Sequence, residues 1–303
     1  TGYHLTADLV DQAIRYIADH TADRPDQPWL TWVALGACHA PHQAPADLIK
    51  SYDAQFAHGW DEERGRRLVR QKELGVVPEN TRMPARNDFV RDWDDHSEDE
   101  RRVFTRLQAA YAAMLDHADQ HLARLVDFLE RANLRDDTIV IVMSDNGASQ
   151  EGGPLGMFNA MGPYNFRFET MDEKRKLIES IGGPKSHTNF PLGWAMAANT
   201  PLRRYKQNTH GGGIRDPLVI SWPKGIRARG ELRQQFAHAS DLAPTLLDIV
   251  GVAPPQQING ISQQPMTGVS FRASLNDPDA PQRNRPQYFE MFGNRALYHD
   301  GWV

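Results

Sequence analysis

The sequence predicts an α/β protein in which a buried sheet is covered by helices, and three observations lead there. Residues 98–132 carry apolar side chains at helical spacing with no internal Gly or Pro, the pattern of one long amphipathic helix. After a short polar turn come residues 138–143 (TIVIVM), a β-branched, uniformly apolar run that reads as a strand buried on both faces. Helix followed by buried strand is the unit of a covered parallel sheet. Finally, 303 residues with 40% hydrophobic side chains and seven Trp are enough to bury one large core or two smaller ones.

The remaining elements follow in chain order. Thr6 or Asp8 is expected to cap a first helix in which Leu9, Ala13, Ile14 and Ile17 recur, ending near His20. Residues 29–37 (WLTWVALGA) form a short apolar run ending in a loop, expected as a second buried strand. Residues 50–97 are charged and broken by Pro78 and Pro84, so helix fragments on a surface excursion are expected. Residues 147–200 read as a long loop with a helical piece over 171–181. Residues 217–222 read as a strand, 240–250 as a helix, and 286–292 with 295–302 as a last strand pair.

Charge and composition narrow the function classes. With 34 basic against 39 acidic residues the net charge is -5, which gives no electrostatic reason for a nucleic-acid or anionic-membrane partner. No apolar stretch approaches the roughly 20 residues that a bilayer-spanning helix needs. The single cysteine, Cys38, excludes an internal disulfide and a Cys-based zinc cluster and leaves the compartment open between a reducing one and export without disulfides. The chain opens at Thr1 and runs straight into a helix, so it is expected to be a piece of something longer.

Chemistry is expected where strands end, because functional groups in open α/β sheets gather at the carboxyl edge. Ser144-Asp145-Asn146-Gly147 follows the 138–143 strand. Asp145 and Asn146 offer a charged and a neutral oxygen to a hard cation such as Ca²⁺ or Mg²⁺; the same residues also make an ordinary turn. His39, after the 29–37 run, is either a catalytic group at that edge or a solvent-facing loop histidine. Lys206 precedes Gly211-Gly212-Gly213, where a Gly-rich loop and a lysine hold an anion or form a flexible surface loop. Other leads carry less. His117 and His121 lie one turn apart, but Ala118 stands where a zinc protease has Glu. Gly182-Gly183-Pro184-Lys185-Ser186 lacks Walker-loop spacing, and there is no Gly-x-Ser-x-Gly.

Taken in order, the stretches His39-Ala40-Pro41-His42-Gln43-Ala44-Pro45, Ser144-Asp145-Asn146-Gly147, Asn199-Thr200-Pro201-Leu202-Arg203-Arg204-Tyr205-Lys206, Gly212-Gly213-Ile214-Arg215-Asp216-Pro217 and Trp222-Pro223 resemble the type I sulfatases, bacterial arylsulfatases above all. The resemblance implies an alkaline-phosphatase-like α/β fold, a mixed sheet sandwiched between helices, incomplete here, with the start of a smaller C-terminal sheet domain. On that basis residues 1–275 are a partial catalytic domain and 276–303 begin the smaller subdomain. It implies hydrolysis of small-molecule sulfate monoesters by a formylglycine beside Ca²⁺, with Asp145 and Asn146 as two of four metal ligands. Lys206 would contact the sulfate, and His39 the ester near its leaving oxygen. The family's early Asp-Asp pair and its Cys/Ser-x-Pro-x-Arg nucleophile motif have no counterpart in the chain; they are expected upstream of Thr1 or on a second polypeptide. Weak metal binding and negligible turnover are therefore expected of these 303 residues alone. The alternatives are a phosphate or phosphonate ester hydrolase of the same superfamily and a non-catalytic binding or assembly fragment.

Overall fold

A computed structural model describes residues 2–282 and 285–303. The chain is α/β, and it divides into two compact units: residues 1–135, 147–206 and 210–215 form the first, and residues 136–146, 207–209 and 216–303 the second.

The first unit is helical. Its elements are α1 (Leu5–Asp23), α2 (Ala46–Tyr52), α3 (Gly59–Glu73) and α4 (Glu98–Arg131). The loop region then adds α5 (Met171–Lys176) and α6 (Leu192–Ala198), and the short α7 (Gly211–Ile214) follows. The long helix is set by its ends as much as by its apolar stripe. Ser97 accepts from the Glu100 amide while the Glu100 carboxylate reaches back to the Ser97 amide, so two donors that a helix start leaves orphaned are satisfied reciprocally. Val103, Phe104, Leu107, Ala109, Ala110 and Ala113 are then wholly buried along one side, and both α1 and α2 pack on α4. The first helix is capped by the His4 side chain, which accepts from the Thr6 amide, and not by Thr6 or Asp8. His4 is the residue whose backbone is extended at that point, as an N-cap requires.

The stretch expected as a surface excursion builds the aromatic heart of this unit. Trp60 meets Trp93 at 4.7 Å and Trp194 at 6.0 Å between ring centroids, both edge to face, a favoured arrangement for ring quadrupoles. Phe56 and Phe104 join them. Its tryptophans stand among charged residues, and α3 turns Trp60 inward while pointing most of its charges outward, Arg64 being a buried exception that donates to the Pro84 carbonyl. Likewise α6, inside the expected loop 147–200, is buried along Leu192, Gly193, Trp194, Ala195, Met196 and Ala197. Gly193 is needed there, since a Cβ would lie 2.3 Å from the Trp60 ring.

Residues 29–37 do not form a strand, although they keep a strand's habit. Leu30 and Trp32 are 86% and 84% exposed, while Trp29, Thr31, Val33 and Leu35 are half-buried, the two-residue alternation of an extended chain. Among the described residues no neighbour supplies ladder hydrogen bonds to it, and a strand is defined by that pairing.

The second unit holds the strands β1 (Val140–Met143) and β2 (Leu218–Ser221), antiparallel with Val140 opposite Ser221 and Met143 opposite Leu218. The expected parallel partner is thus replaced by an antiparallel one, and Val142 and Met143 are 44% and 37% exposed where burial on both faces was expected. The helix α8 (Leu242–Val250) ends at Gly251, whose φ of 72° closes it with a left-handed residue. Buried Asp241 accepts from the amides of His238 (2.9 Å) and Val269 (2.8 Å). A minor pair, β3 (Gln257–Ile258) and β4 (Ile261–Ser262), precedes a hairpin of β5 (Gln287–Met291) and β6 (Asn294–Tyr298). Phe292 and Gly293 turn that hairpin with φ of 50° and 81°, the signature of a two-residue turn whose twist suits the strands it joins.

Candidate functional site

Within the first unit, residues 167 positions apart converge: His39 Nε2 lies 3.3 Å from Lys206 Nζ. The Nδ1 of His39 is 2.7 Å from the Ala40 carbonyl oxygen. A carbonyl only accepts, so Nδ1 carries the proton, and Nε2 of the neutral ring is left to accept from the lysine ammonium. Lys206 is 9% exposed, and a buried ammonium needs a counter-charge. Glu151 supplies it, with Oε2 at 2.6 Å from Nζ. Burial alone would raise the Glu151 carboxyl; the Lys206 ammonium and the Ser149 hydroxyl outweigh it and hold that carboxyl below the usual carboxylate range.

The backbone around Lys206 is fixed by one amide side chain and two glycines. Asn199 Nδ2 donates to the carbonyls of Arg204 and Gly212, each at 2.9 Å, and its Oδ1 accepts from the Ala148 amide at 3.0 Å. The Lys206 amide donates to the Ala148 carbonyl at 3.1 Å. A Cβ on Gly147 would lie 1.7 Å from the Gly212 carbonyl oxygen, so glycine serves close approach of two chains there. Arg204 and Gln207, either side of Lys206, both have φ of 69°, a left-handed conformation costly for residues with a Cβ and concentrated at functional sites. Burial pushes the Cys38 thiol up, against a lowering hydrogen bond from Tyr111, which favours the protonated form, the weaker nucleophile.

Asp145 and Asn146 belong to the second unit, at the end of β1. The Ser144 amide donates to the Pro217 carbonyl at 3.3 Å, which carries the β1–β2 register one step on and sets Asp145 opposite Asp216. Burial and then the Asp145 charge raise the Asp216 carboxyl to about 7, the expected outcome for two like charges across a ladder. Asp145, Asn146 and Asp216 therefore suit a hard cation in kind, being oxygen donors of the Ca²⁺ or Mg²⁺ type. They are fewer than Ca²⁺ takes, and among the described residues no three His, Cys, Asp or Glu side chains converge as a metal cluster.

Glu151 escaped the reading of the sequence, and Asn199 and Asp216 entered it only within the quoted stretches, with no role assigned. Asp216 had a usable signal: it stands two residues before β2 as Asp145 stands two after β1, so pairing those strands antiparallel would have found it. Glu151 is an ordinary loop acid in sequence, with nothing to mark it.

A family model described as Sulfatase matches residues 1–252. Among curated proteins, the chain is 28% identical over 273 residues to an arylsulfatase of Klebsiella aerogenes, covering 88% of this chain and 55% of that protein. It is 32% identical over 234 residues to an uncharacterized sulfatase of Schizosaccharomyces pombe, covering 76% and 40%. An N-acetylgalactosamine-6-sulfatase of Mus musculus is 24% identical over 53% of this chain and 24% of its own length. The solved structure of Ps i-CgsB in complex with k-i-k-neocarrahexaose aligns at a TM-score of 0.49 and 20% identity, over 95% of this chain and 42% of that one. The chain spans about half the length of the first two of these curated sulfatases. The family match over residues 1–252 agrees with the ordered motifs from His39 to Trp222, and the chain belongs to the sulfatase family.

Proposed function

We propose that the chain serves hydrolysis of sulfate monoesters as a sulfuric ester hydrolase of the arylsulfatase kind, and that His39 and Lys206 are its substrate-handling groups. The observation that carries this reading is the 3.3 Å approach of His39 Nε2 to Lys206 Nζ. An ammonium beside an imidazole suits an ester of a strong acid. Lys206 would neutralise charge on the non-bridging sulfate oxygens, where fixed positive charge in a water-poor pocket is most effective. His39 Nε2, which accepts from the Lys206 ammonium, would stand beside the bridging oxygen and pass on to the departing alkoxide a proton taken up from that ammonium. Substrate would displace Glu151 from the lysine, since both are anions competing for one ammonium. Within the second unit, Asp145 and Asn146, with Asp216 beside them, would hold a Ca²⁺ ion, and the chemistry such an ion supplies is positive charge for an anionic ester. No Cys/Ser-x-Pro-x-Arg motif occurs in these 303 residues, so a formylglycine nucleophile does not fit any residue present, and no attack on sulfur is assigned to them.

The reading is tested by calorimetric titration of the chain with inorganic sulfate and 4-nitrophenyl sulfate, for wild type and Lys206→Ala. Binding of both, lost in the variant, is expected, with negligible release of 4-nitrophenol. Sulfate binding unaffected by Lys206→Ala, or robust turnover by the 303 residues alone, would overturn it. Stronger binding of 4-nitrophenyl phosphate than of the sulfate would move the substrate to phosphate esters.

A further inference from the structure

The seam where α1 packs on α4 gathers three histidines that the sulfate chemistry does not use. Along α4, His117 and His121 stand one turn apart, so their side chains share a face, and their Nε2 atoms meet at 3.2 Å. From the start of α1, the His4 ring lies 4.2 Å from the His117 ring between centroids. His117 is 7% exposed, and its Nδ1 is buried with no hydrogen-bond partner. An orphaned polar atom of that kind in a packed interior calls for a reason.

Hydrogen bonding fixes which nitrogens are free. His4 Nδ1 accepts from the Thr6 amide at 3.3 Å, so its proton sits on Nε2 and neither nitrogen keeps a free lone pair while it caps α1. His121 Nδ1 accepts from Arg124 at 2.7 Å, which places the His121 proton on Nε2, facing His117 Nε2. His117 Nε2 therefore holds a lone pair, and its orphaned Nδ1 holds the proton. Moving the His121 proton from Nε2 to Nδ1 sets two lone pairs side by side, with no net gain or loss of protons. The move gives up the Arg124 hydrogen bond, while Arg124 keeps Asp11 at 2.6 Å.

We infer that His117 and His121 form a two-histidine site for a divalent late-transition-metal cation, bound through both Nε2 atoms with water in the remaining positions. Two nitrogens 3.2 Å apart that each sit about 2.1 Å from one ion subtend roughly 100° at it, between the octahedral and tetrahedral ligand angles. Imidazole nitrogen favours Cu²⁺, Ni²⁺ and Zn²⁺, whereas Ca²⁺ and Mg²⁺ seek oxygen, which separates this site from the Asp145 and Asp216 carboxylates. The local charge is mixed: Asp11 and Asp116 favour positive charge at the pair, and the Arg124 guanidinium opposes it. Burial, then His4 and His121, lower His117 to about 4, so a cation meets a neutral ring there and displaces no proton at neutral pH. His121 is only half-buried, which gives the pair an approach from solvent. Two protein ligands also accord with the absence, among the described residues, of any metal-holding group of three His, Cys, Asp or Glu.

The test is calorimetric titration of the 303-residue chain with Ni²⁺ at neutral pH, for wild type, His121→Gln, Arg124→Met and Asp145→Asn. One equivalent is expected to bind wild type. His121→Gln is expected to weaken it at least about tenfold, the lower end of what even an outer-shell partner of a metal is worth. Arg124→Met removes the hydrogen bond that holds the competing tautomer and is expected to tighten Ni²⁺ about tenfold. Unfolding midpoints without metal show whether the variants are folded; with Ni²⁺ the wild-type midpoint is expected to rise and that of His121→Gln to stay where it was. The two should respond alike to Ca²⁺. Absence of Ni²⁺ binding by wild type, unchanged affinity in His121→Gln, or weaker affinity in Arg124→Met overturns the inference. Loss of Ni²⁺ binding in Asp145→Asn, with His121→Gln unaffected, assigns the metal to the carboxylates and overturns it as well.

Discussion

Glu151 occupies the ammonium of Lys206 at 2.6 Å, and the same carboxylate takes a hydrogen bond from the Ser149 hydroxyl at 3.1 Å. The lysine is therefore held in place by an anion that a substrate must replace. Glu151→Gln keeps the shape and removes the competing charge. Inorganic sulfate should then bind about fivefold more tightly, corresponding to about 1 kcal/mol for a half-exposed ion pair. Titration calorimetry on wild type and variant reads this directly; weaker binding in the variant would show that Glu151 supports the anion site instead of guarding it.

Asp145 and Asp216 face each other at the end of the β1–β2 ladder, and the Asp216 carboxyl is raised to about 7. A carboxyl raised in the folded state costs stability above its unfolded pKa: the fold is favoured while Asp216 is protonated and is weakened as pH rises towards and through 7. Asp216→Asn should thus raise the unfolding midpoint at pH 8 and leave it unchanged at pH 4. Added Ca²⁺ should raise the wild-type midpoint at pH 8, and less so in Asp145→Asn.

A different acid response is expected at the seam of α1 and α4. Arg124 donates to His121 Nδ1 at 2.7 Å and also binds Asp11 at 2.6 Å. Nδ1 of His121 must accept, so its Nε2 donates to His117 Nε2 across 3.2 Å. Burial, then the neighbouring His4 and His121, lower His117 to about 4. A histidine lowered in the fold stabilises it while neutral, and that contribution is lost as pH falls from about 6.5 towards 4. Urea unfolding should show about 2 kcal/mol less stability at pH 5 than at pH 7 from this group, with the difference reduced in His117→Leu.

The aromatic core gives a steric test. Gly193→Ala places a methyl 2.3 Å from the Trp60 ring, and overpacking of this kind costs about 1–3 kcal/mol. The urea midpoint should fall accordingly, and Gly183→Ala, whose nearest neighbour would be a carbonyl oxygen at 3.2 Å, should cost less.

What was legible in the sequence followed from local signals. The 34 residues of α4 declare themselves by periodicity and by Ser97 and Glu100 three apart, and α8 and the β5–β6 hairpin do so by their turn residues. The aromatic core was hidden because Trp60 and Trp93 sit in charged surroundings and meet only through tertiary contact. Asp145, Asn146, His39 and Lys206 were each ambiguous alone; their order along the chain identified the family. The pairing of β1 with β2, and the hold of Glu151 on Lys206, depend on contacts across 75 and 55 positions, which no local pattern encodes.

Residues 29–37 alternate like a strand without a partner, with Leu30 and Trp32 turned to water. Amides without ladder bonds exchange with solvent early, so deuterium should label this stretch long before it reaches the buried turns of α4. The same open edge is adhesive. At high protein concentration it is where one copy would zip onto the next, and a short β-forming peptide that capped it would keep the preparation clear.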